Sequence, residues 1–143
     1  MTPAPNFSTA CLLVSYRPDL RQLTGRWLRS ITEAELPAGY QALRHAALHY
    51  RCRYWLVDAR RRIDRSFNGP AWVASHFLPP MPRELVGQLG VALLVLPDYL
   101  SSLPPGQGAP SGPEDAVQIA RFLNEGAANH WLAGWPATEP LSR

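Results

Sequence analysis

Two uninterrupted apolar runs, YWLV at 54–57 closed by Asp58 and VALLVL at 91–96 stopped by Pro97, constrain the fold most. A strand with one wet face alternates apolar and polar side chains. A short run without alternation suits a strand covered on both faces, and such strands belong to mostly parallel sheets with helices packed against them. Residues 54–57 are therefore read as a central strand. Neither run approaches the ~20 residues of a bilayer-spanning helix, so no membrane span is expected.

The rest of the chain supplies neighbours for these strands. Residues 10–16 (ACLLVSY) and 20–29 (LRQLTGRWLR) flank Pro18 and Asp19 and read as an antiparallel hairpin. Thr32 and Glu35 have the spacing of a capping box, in which hydroxyl and carboxylate each satisfy a free backbone amide. Leu36, Tyr40, Leu43, Ala47 and Tyr50 then recur at steps of four, three, four and three, one apolar face of a helix, and Pro37 places its start nearer Glu35 than Glu33. Asn68, Gly69 and Pro70 open a second helix reaching about Leu78. Residues 116–122 form another strand, and Asn124 caps a last helix bearing Ala127, Ala128, Trp131 and Leu132.

The order β-β-α-β-α-β-loop-β-α predicts a single α/β domain over residues 1–143 with its core at about 10–134. Its sheet is mixed, a β-hairpin followed by βαβ-type crossovers with helices packed on it, and the crossovers are right-handed by default. Residues 101–113 (SSLPPGQGAPSGP) lack periodicity and large apolar groups and are expected to form a mobile surface loop, with flexible tails at both ends.

Charge narrows the chemistry. The fourteen side chains counted as Lys or Arg are all arginine, which excludes a P-loop and any Schiff-base or pyridoxal mechanism, since both need a lysine amine. Arg51, Arg53, Arg60, Arg61, Arg62 and Arg65 face only Asp58 and Asp64 within residues 51–65, a local +4 in a chain of net charge +3. The basic character thus belongs to one segment. A nucleic-acid-binding chain spreads its arginines over a face with interleaved aromatics, so no nucleic-acid partner is expected. Cys11 and Cys52 lie in apolar surroundings without close pairing and read as buried thiols. With no secretory signal at the N-terminus, a reducing cytoplasm is the expected setting.

A resemblance emerges in the segments YRPDLRQLTGRWLRSITEAEL, GYQALRHAALHYRCRYWLVDARRR and FLNEGAANHWL, spanning roughly residues 10–134. Their order resembles the STAS or SpoIIAA-like group, and within it small bacterial proteins of uncharacterised function. The resemblance implies an α/β interaction or regulatory module. Relatives of the anti-sigma antagonist type carry an aspartate-serine-serine-glycine signature whose serine is phosphorylated. Here Asp64-Arg65-Ser66-Phe67 stands near that place, and Ser66 is the candidate phosphosite. The fold shared with SEC14-type lipid-binding domains implies hydrophobic-ligand binding as an analogy.

The strongest local feature is DARRRIDRS at 58–66, just beyond a central strand, where ligands gather in open α/β sheets. Arginine forks suit carboxylate or phosphate, and the amides of a helix opening near Asn68 add a second anion contact. Arg60, Arg61, Arg62, Arg65 and Asn68 are therefore the candidate anion- or partner-binding residues. The competing reading pairs the arginines internally with Asp58, Asp64 and Glu84. Trp27, beside Arg26 and Arg29, and Trp72, after the arginine loop, are the candidate interface aromatics. His45 and His49 are four apart but lie off the apolar face without a third ligand, so no metal site is assigned. No serine or cysteine sits in a nucleophile motif, and Ser75 and His76 are expected to point apart as neighbours on a helix. No catalytic residue or cofactor is assigned.

These readings predict a non-enzymatic STAS-like module that binds a protein partner, or a second copy as a homodimer, through the hairpin and the arginine loop. The alternative is a binder of a small anionic or amphipathic, lipid-like ligand, with a cavity of roughly 300 Å³ or more beside residues 60–65.

Overall fold

The computed structural model describes residues 6–61, 72–102 and 116–138. Five strands, β1 (Leu12–Arg17), β2 (Gln22–Trp27), β3 (Tyr54–Asp58), β4 (Leu89–Leu94) and β5 (Val117–Phe122), form one sheet in sequential order. The first pair is antiparallel and the other three are parallel, so the sheet is mixed, as the hairpin and crossovers predict. The apolar runs occupy β3 and β4. Every residue of β3 is buried, as its unbroken run requires.

Helix α1 (Glu35–Tyr50) follows the hairpin, and a π-helical turn (Val73–Phe77) and a short helix α2 (Met81–Leu85) precede β4. Helix α3 (Pro97–Ser102) follows β4, and α4 (Glu125–Thr138) follows β5. Alternation along each strand sorts the side chains into two cores. Leu23 and Trp27 of β2, Trp55 and Val57 of β3, and Leu89 and Val91 of β4 face Leu36, Tyr40 and Leu43 of α1 and Phe77 and Met81 behind them. On the opposite face, Tyr54, Leu56, Ala92 and Leu94 meet Ala128 and Leu132 of α4. The molecule is thus a three-layer α/β arrangement.

Helix α1 begins at Glu35 as its proline demands, and the capping box is realised on its carboxylate side, with the Thr32 N–H donating to Glu35 Oε1 at 2.8 Å. The expected Asn124 cap is present, its Oδ1 accepting the Ala127 N–H at 2.8 Å. Gly39 sets the distance between α1 and the sheet: a Cβ there would overlap the Trp27 ring, so only glycine lets the helix close on the indole.

Three expectations change. Of the second helix expected from Asn68 to about Leu78, the described part winds as a π-helical turn, with the Leu78 N–H reaching back to the Val73 carbonyl at 2.9 Å. Pro82 lies in the first turn of α2, where its missing N–H costs no hydrogen bond. β4 ends at Leu94, short of the last two residues of the apolar run, and Pro97 begins α3, which takes in Ser101 and Ser102 of the expected loop. The remainder of that loop, at 103–113, lies outside the described residues.

Candidate functional site

The register of the sheet builds the site at the carboxyl end of β3. Arg26 of β2 and Asp58 of β3 are aligned neighbours, so their side chains emerge side by side on the face that α4 covers. Glu125 enters from above, in the first turn of α4, where a carboxylate suits the positive end of the helix. Arg26 Nη1 donates to Asp58 Oδ2 at 3.0 Å and to Glu125 Oε1 at 2.9 Å, while Nη2 donates to Glu125 Oε2 at 2.7 Å. Arg60 closes the network, its Nε and Nη2 gripping Asp58 at 2.9 and 2.8 Å while its backbone N–H reaches Oδ1 at 3.1 Å. Arg60 Nη2 also lies 4.0 Å from Glu125 Oε1.

Two guanidiniums and two carboxylates therefore neutralise one another across β2, β3, the turn after β3 and α4. Burial pulls the Asp58 pKa upward, but the hydrogen bonds and charge of Arg60, then of Arg26, outweigh it and hold it below the usual value. The Arg26 hydrogen bond lowers that of Glu125 as well. Both acids stay ionised with their lone pairs engaged. Such an arrangement ties elements together.

Arg60 thus follows the internal-pairing reading, with Asp58 as its partner. Arg61 is exposed, and Arg62, Arg65, Ser66 and Asn68 lie outside the described residues. Glu84 accepts from Arg44 Nε at 2.8 Å and pins α2 to α1. Arg26 and Glu125 are missing from the sequence-derived site. Their partnership depends on the β2–β3 register and on where α4 lands, although Glu125 after a capping Asn124 does announce a helix start.

Trp27 offers no interface surface, contrary to expectation: it is 1% exposed beneath α1, because Gly39 lets the helix sit directly on it. Trp72 is half-buried, its ring 6.1 Å from Phe77 and 6.4 Å from Tyr40. Ser75 and His76 do not point apart, since the segment winds as a π turn; Ser75 Oγ lies 2.7 Å from His76 Nδ1, with both residues exposed. His45 is exposed, and the His49 ring rests against Phe7 and Tyr50 at 5.5 and 4.7 Å. Among the described residues, no three of His, Cys, Asp and Glu are placed to share a metal ion. Cys11 and Cys52 are free and buried, as read, and burial pushes the Cys52 thiol pKa up. No helix among the described residues is long and apolar enough to cross a membrane. Comparison of the chain with protein-family models, curated proteins and solved structures finds no match.

Proposed function

We propose that this chain is a non-enzymatic STAS-like interaction module that binds a protein partner, or a second copy of itself, through the outer face of its hairpin. The observation that carries the reading is an uncovered stretch of sheet. Helix α4 packs on β3, β4 and β5 and reaches β2 through two polar pairs, Gln22 to Asn129 and Arg26 to Glu125. Beyond it, Leu13, Ser15 and Arg17 of β1 face solvent. Leu13 is 46% exposed and Leu28 is 40% exposed; the hairpin register puts both on this face, diagonally across the two strands and beside Arg26. An apolar spot rimmed by a rigid charged network is the usual anatomy of a small recognition surface.

The sequence resemblance and the sequential order of hairpin and parallel strands support the STAS-like assignment. The β1 edge argues for binding by the face over pairing by the edge. Ser8 Oγ accepts the Val14 N–H at 2.8 Å and donates to the Val14 carbonyl at 3.2 Å, while Thr9 Oγ1 accepts the Leu12 N–H at 3.0 Å. These contacts occupy groups that an added strand would need.

Site-specific photo-crosslinking in the host cell tests the proposal. A photoreactive residue at position 13 is expected to give one discrete adduct whose mass distinguishes a second copy from another protein, and Leu28→Glu is expected to abolish it. The same residue at Arg83, exposed on α2 behind the other face, is expected to give none. Equal labelling from both positions, or no adduct from position 13, would overturn the proposal.

A further inference from the structure

The opposite end of the sheet carries a second basic cluster of different construction. A pocket of about 220 Å³ opens there between the hairpin turn and the start of β3, lined by Tyr16, Arg21, Tyr50, Arg51, Cys52, Arg53 and Tyr54. None of these described lining residues is acidic. Arg21 and Arg51 are exposed, and neither forms an ion pair among the described residues. Asp19, in the adjoining turn, is committed to Arg17 through two hydrogen bonds of 3.0 and 2.8 Å.

The walls are fixed. Tyr16 and Tyr50 stack with ring centroids 4.2 Å apart and an angle of 11°. Burial, then the neighbouring Cys52, raises the Tyr16 pKa, so the phenol remains a hydrogen-bond donor at neutral pH. Arg53 Nη1 donates to the Gln88 carbonyl at 3.1 Å, and its guanidinium lies 5.5 Å from the Tyr54 ring centre. Gly87, with φ of 158°, makes room for it: a Cβ at that position would come within 2.8 Å of the Arg53 side chain. Beneath, Cys52 Sγ sits 3.4 Å from the Arg21 carbonyl and 3.3 Å from that of Tyr54, joining the two rims.

The backbone at both rims disfavours the residues it carries. Arg21 and Arg51 each adopt φ of 52°, in the left-handed region where glycine is the cheapest choice. Arg51 occupies the left-handed position closing α1, and its N–H and that of Cys52 both bond the Ala47 carbonyl, so the turn is completed by backbone alone. The two side chains are not needed for the turns that they strain. Val86, closing α2, takes the same backbone (φ 58°) but does not line this pocket, so it is the meeting of two strained arginines at one concave surface that points to a ligand.

We propose that this pocket binds a phosphoryl group, free or as a small phosphate ester, between the guanidiniums of Arg21 and Arg51, with Arg53 as a fixed third cation and the Tyr16–Tyr50 stack as a wall. Guanidinium forks match phosphate oxygens in geometry and charge. The volume limits the organic portion to less than a drug-sized molecule.

Calorimetric titration of the purified chain with inorganic phosphate and with phenyl phosphate tests this. Binding of either is expected at millimolar concentration or below; tighter binding of the ester identifies an ester site, and equal binding identifies a site for the free oxyanion. Arg21→Gly and Arg51→Gly are each expected to weaken binding roughly tenfold or more, as for loss of one charged hydrogen-bonding group. Their melting temperatures should stay at or above the parent's, because glycine fits the left-handed backbone. Arg83→Ala, which removes the same net charge elsewhere, should leave affinity unchanged. No binding of either probe, or equal weakening by Arg83→Ala, would overturn the proposal.

Discussion

The two ends of the parallel strands use the same residue for opposite purposes. At the carboxyl end of β3, Arg26 and Arg60 are consumed by Asp58 and Glu125, and the result is a neutral clasp joining two strands to α4. At the amino end, Arg21, Arg51 and Arg53 ring a pocket without a carboxylate among its described lining residues. What separates the ends is one strand of five residues, about 17 Å of extended backbone. A basic segment that looks continuous in sequence is thus divided by β3, with Arg51 and Arg53 before its amino end and Arg60 beyond its carboxyl end. Charge density along a chain says little about function until the strand that interrupts it is placed.

The comparison can be strained from its shared core outward. Trp27→Ala, which removes the indole packed under Gly39, is expected to cost about 3–5 kcal/mol in chemical denaturation and to loosen both ends together. Asp58→Ala should act on one end only. It strips Arg26 and Arg60 of a largely buried partner and is expected to cost about 2 kcal/mol, discounted because both guanidiniums remain about a third exposed. A phosphate affinity unchanged by Asp58→Ala would show that the ends are independent.

Acid separates them by titration. Asp58 and Glu125 have pKa values below their ordinary 3.8 and 4.5, and Glu35, held by Arg29 and by the Thr32 amide, falls to about 2. Each lowered carboxylate contributes stability that is complete above its unfolded value and is lost as pH falls through its folded one. Hydrogen exchange measured between pH 5 and pH 2 should therefore show the carboxyl end opening first, at the Arg60 N–H that donates to Asp58 and at the start of α4. The amino end, lined by arginine, tyrosine and a thiol, should keep the Cys52 N–H bond to Ala47 protected for longer. The smallest effect runs the other way: Arg51→Gly is expected to stabilise the fold by about 0.5 kcal/mol through relief of its left-handed backbone.

Legibility in the sequence follows the same division. The unbroken runs at β3 and β4, the apolar stripe of α1, the hairpin and the Asn124 cap were readable because each is a local pattern with a local cause. The short helices α2 and α3 were not, because proline at a helix start and proline at a strand end look alike without the flanking backbone. Trp27 looked like a surface residue beside Arg26 and Arg29; its burial depends on Gly39, twelve residues away and unremarkable as a helical glycine. The clasp was half legible, since Arg60 and Asp58 are neighbours in sequence, whereas Arg26 and Glu125 reach them only through strand register and helix packing. The amino-end pocket was hidden altogether. Its residues come from a hairpin turn and a helix end, and the positive φ angles of Arg21 and Arg51 leave no mark on residue type.

The most direct test is a phenyl phosphate titration of isotopically labelled protein followed by amide chemical shifts at both ends in one sample. The account predicts progressive shifts at Tyr16, Arg21, Gln22 and residues 50–54, with Arg26, Asp58, Arg60 and Glu125 unmoved. Shifts concentrated at Arg60 and Glu125, with the hairpin turn and the start of β3 silent, would contradict it.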